Sequence, residues 1–158
     1  MKIIKYFFES IIIYIFFLII KIIGLNNSRS LFSFIFKIIG PLIKSKKVIK
    51  ENIHIVFGKN IDSKKITKDM WSNYGKVFAE YIYLDKFKKN SFKDRHINIE
   101  GVKILEEIIK KKKPVIFVSG HFANFELMSM ELVKKKINLA TIYRPLNNIF
   151  LNPIMERI

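Results

Sequence analysis

Residues 11–20 read IIIYIFFLII, ten positions without a charge. The apolar pattern extends from Tyr6 to Leu25 and is interrupted by Glu9 and Lys21, both near its ends. About twenty helical residues span about 30 Å, the thickness of a bilayer's hydrocarbon core, and a lysine near the end can snorkel to the interface. No small-residue cleavage site lies between Lys21 and Ser33, so the segment reads as an uncleaved membrane anchor. A buried core helix is the alternative, though core helices rarely carry ten consecutive large apolar residues. After the polar break NNSRS, the stretch LFSFIFKIIGPLI (31–43) is too short and interrupted to span. It is expected to lie in the interface plane or to pack back on the domain. Lys44, Lys46, Lys47 and Lys50 follow at once and point to a cytoplasmic, anionic membrane face. Because Lys2 and Lys5 precede the first segment, charge does not decide whether that segment spans the bilayer or lies in its surface.

Farther on, Ile49, Ile53 and Val56 have the spacing of a short helix that Gly58 and Asn60 punctuate. Asp62 or Ser63 is placed to cap the next one. There Ile66, Met70, Tyr74, Val77, Phe78, Tyr81 and Ile82 recur at steps of mostly three and four, an amphipathic stripe. Trp71 reads as a core residue, with a membrane interface as the alternative, and His54 as a surface or half-buried helical residue.

From residue 97 the pattern changes. INIEG is a short alternating strand ending at Gly101. VKILEEIIKKKK makes a helix with Val102, Leu105, Ile108 and Ile109 on one face, and its lysines suit the negative end of the helix dipole. After Pro114, VIFVS (115–119) is a continuous apolar run, typical of a strand buried on both faces. GHFANFELMSMELVKKK reads as a loop entering a helix, and INLATIYR as another strand. Alternating strands and helices predict an α/β fold with a partial, mainly parallel β-sheet flanked by helices. The expected divisions are an anchor and interfacial helices over 1–43, a helical region over 44–96, and the first part of an α/β domain over 97–158.

Composition narrows the partners. The 158 residues carry 29 basic and 13 acidic side chains, a net charge of +16, so acidic partners are favoured: anionic lipid, nucleic acid or an acidic carrier protein. The lysines are dispersed and no zinc or aromatic–glycine RNA motif is present, which argues against nucleic acid. With no cysteine, disulfides and thiolate metal sites are excluded. His54, His96 and His121 are scattered and never pair at metal-ligand spacing, so no metal is expected.

Ligands of open α/β sheets bind beyond the carboxyl ends of the strands. His121 follows VIFVS in the stretch SGHFANFE, where Gly120 allows a sharp turn, Asn124 can help cap the helix and Glu126 falls in its first turn. The carboxylate would accept from one imidazole nitrogen and leave the other free to take a proton from a hydroxyl. Spacing alone fits a capping or packed histidine as well. In TIYRPLNN (141–148), Tyr143 and Arg144 end the next strand and are expected at the same sheet edge, with Asn148 starting another helix. An arginine there can hold a phosphate or carboxylate with two parallel hydrogen bonds.

GHFANFE together with YRPLNN resembles the lauroyl/myristoyl acyltransferases of lipid A biosynthesis, within the larger His-x4-Asp/Glu acyltransferase group. The similarity extends upstream through INIEGVKILEEIIKKKKPVIFVSGHFANFEL and through NIHIVFG and WSNYGKVFAEYIYL to the anchor, covering nearly the whole chain. The resemblance implies a glycerol-3-phosphate-acyltransferase-like fold. It implies transfer of a fatty acyl chain from acyl carrier protein to a hydroxyl of a lipid A precursor, at the cytoplasmic face of the inner membrane. His121 would be the general base and Glu126 would orient it. Arg144, with Tyr143, Asn124 and Gly120, would help bind substrate, and no cofactor is implied. Members of the family continue past the second motif, so a C-terminally truncated member is expected, with an inactive, membrane-attached remnant as the alternative.

Overall fold

A computed structural model describes residues 2–92, 96–142 and 144–156. It divides into two compact units, one formed by the chain up to Tyr83 together with the stretch from Leu146 onward, the other by Leu84–Pro145.

The first unit is helical. α1 runs Lys2–Ile23, α2 Leu25–Ile43, α3 Lys46–Phe57 and α4 Ser63–Glu80; a 3-10 turn follows at Tyr81–Tyr83. The break between α1 and α2 falls at Gly24, whose φ of 80° suits a residue without a Cβ. NNSRS, expected as the break, lies inside α2. Asp62 caps α4 by accepting from the N–H groups of Lys64 and Lys65. Gly58 ends α3 with its N–H on the carbonyl of His54.

The principal packing is α2 against α4. The buried face of α4 is Trp71, Ser72, Gly75, Ala79 and Glu80, rotated from the expected stripe, so that Tyr74 stands 56% exposed. Small residues explain the rotation. A Cβ on Gly75 would overlap the carbonyl of Phe32, and one on Gly40 would overlap the Trp71 ring, so each glycine admits the neighbouring helix. The hydroxyls of Ser33 and Ser72 meet at 2.6 Å. Arg29 grips Glu80 through Nε and Nη2, both 2.8 Å from Oε1. Phe78 sits among Phe16, Phe17, Phe32 and Phe36, with ring centroids 5.3–6.3 Å apart. Trp71 is buried, as a core residue should be, and His54 is half-buried.

The second unit holds α5 (Leu84–Lys88), α6 (Val102–Lys111) and α7 (Glu126–Lys134). The ammonium of Lys134 ties α7 to the end of α5 by donating to the Phe87 carbonyl and Asn90 Oδ1, while Glu131 holds it from within α7. His96 packs edge-on to Phe92 and Phe87. The remaining helix, α8 (Asn152–Glu156), belongs to the first unit.

The expected parallel sheet is overturned: no strand is formed among the described residues. Residues 97–100 are irregular, and 115–118 and 139–142 are unpaired. A parallel strand needs a neighbour about 4.8 Å away and helices over both faces. Here Val115–Phe117 and Leu139–Thr141 line a cavity of about 870 Å3, and no backbone hydrogen bond is found between the two segments among the described residues. Ile116 and Val118 are each 89% exposed, so the apolar run is not a doubly buried strand.

Candidate functional site

The loop joining residues 115–119 to α7 carries the histidine. The N–H of Phe122 donates to the carbonyl of Gly120 at 2.8 Å, closing a three-residue turn with His121 at its centre. The left-handed residue of this loop is Ala123, with φ 47°, and not Gly120. At Gly120 a glycine gives space instead: an added Cβ would press on the Phe122 ring, 2.5 Å from Cε2.

α7 then starts at Glu126, with Phe125 in the capping position and no side-chain cap from it. The carbonyls of Asn124 and Phe125 accept from Leu127 and Met128, a tight 3-10-like entry. Asn124 is buried. His121 is exposed, and its ring lies 4.2 Å from the Phe125 ring, centroid to centroid. That aromatic partner escaped the sequence reading, although Phe122 and Phe125 flanking a histidine loop was a signal for it.

Glu126 is half-buried. Burial raises its carboxyl above the ordinary carboxylate range, and the nearby positive charge of His121 draws it partly back. The imidazole and the carboxyl are thus near each other at the head of α7, but no hydrogen bond or ion pair joins them among the described residues. This acid–base arrangement can hold a proton near an exposed ring.

Arg144 is exposed and is not joined to His121 or Glu126 by a hydrogen bond, ion pair or ring contact among the described residues. The expectation of a shared sheet edge fails with the sheet, since an edge exists only where strands are paired. Tyr143, expected beside Arg144, lies outside the described residues. Asn148 does not start a helix: its Oδ1 accepts from Phe150 and its carbonyl from Leu151 and Asn152, forming a turn ahead of α8. The 870 Å3 cavity is walled by α6, α7 and the two extended segments, with Ile108, Phe117, Met128 and Leu132 among its apolar lining and Lys112 and Lys136 beside them. Neither His121 nor Glu126 lines it.

A family model for bacterial lipid A biosynthesis acyltransferases matches residues 1–157, essentially the whole chain. The chain belongs to that family. Comparison with curated proteins and with solved structures gives no match.

Proposed function

We propose that the protein transfers a fatty acyl chain from acyl carrier protein to a hydroxyl of a lipid A precursor, at the cytoplasmic face of the inner membrane. Family membership supplies the acyltransferase class and the role in lipid A biosynthesis. The observation that supports the catalytic assignment is placement: His121 is exposed at the centre of a turn directly before α7, and Glu126 lies half-buried in that helix's first turn.

In this reading His121 is the general base. Its free nitrogen takes the proton of the acceptor hydroxyl as the oxygen attacks the thioester carbonyl. The carbon–sulfur bond breaks and the carrier thiolate leaves, recovering the proton from the imidazolium. The products are an ester and a free thiol. Glu126 orients the ring and favours its charged form. Arg144, together with Tyr143, Asn124 and Gly120, contacts the substrates, the guanidinium taking a phosphate. The net charge of +16 suits both an acidic carrier and an anionic glycolipid. α1 is long and apolar enough to cross a membrane, and only 11% of its most apolar window is buried, which supports a membrane location.

A second reading, a membrane-attached member without catalysis, is favoured by the exposure of Ile116 and Val118, which leaves the approach to His121 open to water. The experiment measures acyl transfer from acyl carrier protein to a lipid A precursor by wild type and by His121→Ala. Transfer by wild type that collapses in the variant supports the base. Equal transfer by both removes His121 from the chemistry, and no transfer by wild type favours the second reading.

A further inference from the structure

The long apolar helix meets the length requirement for a span, yet its surroundings are wrong for one. Asn148 Nδ2 donates to the carbonyl of Tyr6 at 2.9 Å, and the Tyr14 hydroxyl donates to the carbonyl of Phe150 at 2.8 Å. The Phe7 and Phe150 rings meet edge-on at 5.7 Å. Near the opposite end, the Tyr83 hydroxyl donates to the carbonyl of Ile20 at 2.9 Å, and Ile20 is fully buried. Both halves of α1 are thus tied to the same compact unit. In an upright helix, Tyr14 lies about 18 Å from the N-terminal end, well inside a hydrocarbon core about 30 Å thick. The turn from Leu146 to Leu151, with Asn147 exposed and Glu156 exposed on α8 after it, would then sit in lipid. Lipid-exposed irregular backbone and exposed polar side chains are not tolerated there.

The exposed apolar residues of α1 have a different geometry. Ile4, Ile11, Ile15 and Ile22 run along the middle of an exposed apolar face that Ile3 and Ile12 widen to about half of the helix, with Ile22 74% exposed. Lys2, Lys5, Glu9 and Ser10 fall outside it at 100° per residue. On α2 the side facing away from α4 carries a second stripe, Leu31, Phe34, Ile38 and Leu42, the last 80% exposed. Directly after it come the exposed Lys44, Lys46, Lys47 and Lys50, which anionic headgroups would attract. A one-sided apolar stripe bordered by lysines is the pattern of a helix lying in the interface.

We propose that α1 does not cross the bilayer: α1 and α2 lie in the plane of one leaflet, their outward stripes sunk among the acyl chains of an anionic membrane and both ends of α1 on the same side. This rests on the membrane location proposed above.

The chain has no cysteine, so single-cysteine variants have no background. Lys2→Cys and Asn26→Cys, expressed in cells and made into spheroplasts, are treated with a membrane-impermeant maleimide before and after lysis. Reaction of both from the same side supports the proposal, and reaction from opposite sides overturns it. In the membrane-bound protein, Ile15→Cys, Phe34→Cys and Leu42→Cys are expected to react at least tenfold more slowly than Lys2→Cys. Equal rates would overturn the embedded stripes. If the wild-type protein stays in the supernatant when membranes are pelleted, the membrane location itself fails, which is distinct from reaction at opposite sides.

Discussion

His121 occupies the centre of a three-residue turn, exposed to solvent but braced by the Phe125 ring. A base in that position can reach a substrate hydroxyl without moving the helix that carries its partner. Positioned general bases typically contribute about 10²–10⁴-fold to rate, and His121→Ala is expected to lose transfer by a factor in that range, read as initial rate with fold checked by circular dichroism. Glu126 makes a prediction with a sign. Its carboxyl holds its proton more tightly folded than unfolded, because it is half-buried. Below the unfolded value both states are protonated. Through the window between the unfolded and the raised folded value the folded state binds more protons, so this group's contribution to stability falls as pH rises. Urea midpoints measured across that acidic window should show the decline in wild type and a flatter profile in Glu126→Gln. In the first unit, Arg29 places its guanidinium against the mostly buried Glu80. Removing the cation from a buried pair costs about 3 kcal/mol, so Arg29→Ala should lower the urea midpoint markedly and Arg29→Lys less.

At the scale of elements, α2 and α4 meet through small residues, and the tightest point is Gly75. An alanine there gains helix propensity of about 1 kcal/mol, but its Cβ must displace backbone at Phe32, and overpacking of this kind costs about 1–3 kcal/mol. Gly75→Ala is therefore expected to lower Tm by several degrees, whereas the exposed Lys76→Ala leaves it unchanged. This face also marks the limit of what the sequence disclosed. Helices α1, α3, α4 and α6 were legible because apolar spacing, the Asp62 cap and the stops at Gly58 and Pro114 are local signals. The facing of α4 was not, because apolar spacing counts Tyr74 and passes over Ser72, Gly75 and Ala79, whose value lies in letting another helix approach. The sheet was misread for a related reason. VIFVS has strand composition, but a strand is a relation between segments, and its partner is not encoded in the run itself. The placement of His121 in a loop ahead of a helix, with Glu126 in its first turn, was legible because it rests on consecutive residues. The sheet edge expected to hold both Arg144 and His121 depended on paired strands, and no strand is formed among the described residues.

For the whole molecule, the proposed seat on the membrane predicts two attractions that separate under salt. Each lysine near an anionic leaflet contributes about 1 kcal/mol, and this falls away as the screening length shrinks from about 10 Å at 0.1 M salt to about 3 Å at 1 M. Burial of the stripes on α1 and α2 is indifferent to salt at this level, at about 25 cal/mol for each Å2 of apolar surface removed from water. Binding of the purified protein to vesicles should therefore weaken by orders of magnitude between low and high salt when the vesicles are anionic, then level off at the value found for neutral vesicles. Replacing Lys44, Lys46, Lys47 and Lys50 by glutamine should lower the low-salt affinity and leave the plateau unchanged. Phe34→Asp, which places a charge in the outward stripe of α2, should lower the plateau itself. Sedimentation with vesicles over a salt series reads both quantities from one curve. A plateau that moved with the lysines and ignored Phe34 would mean that charge alone holds the protein to lipid.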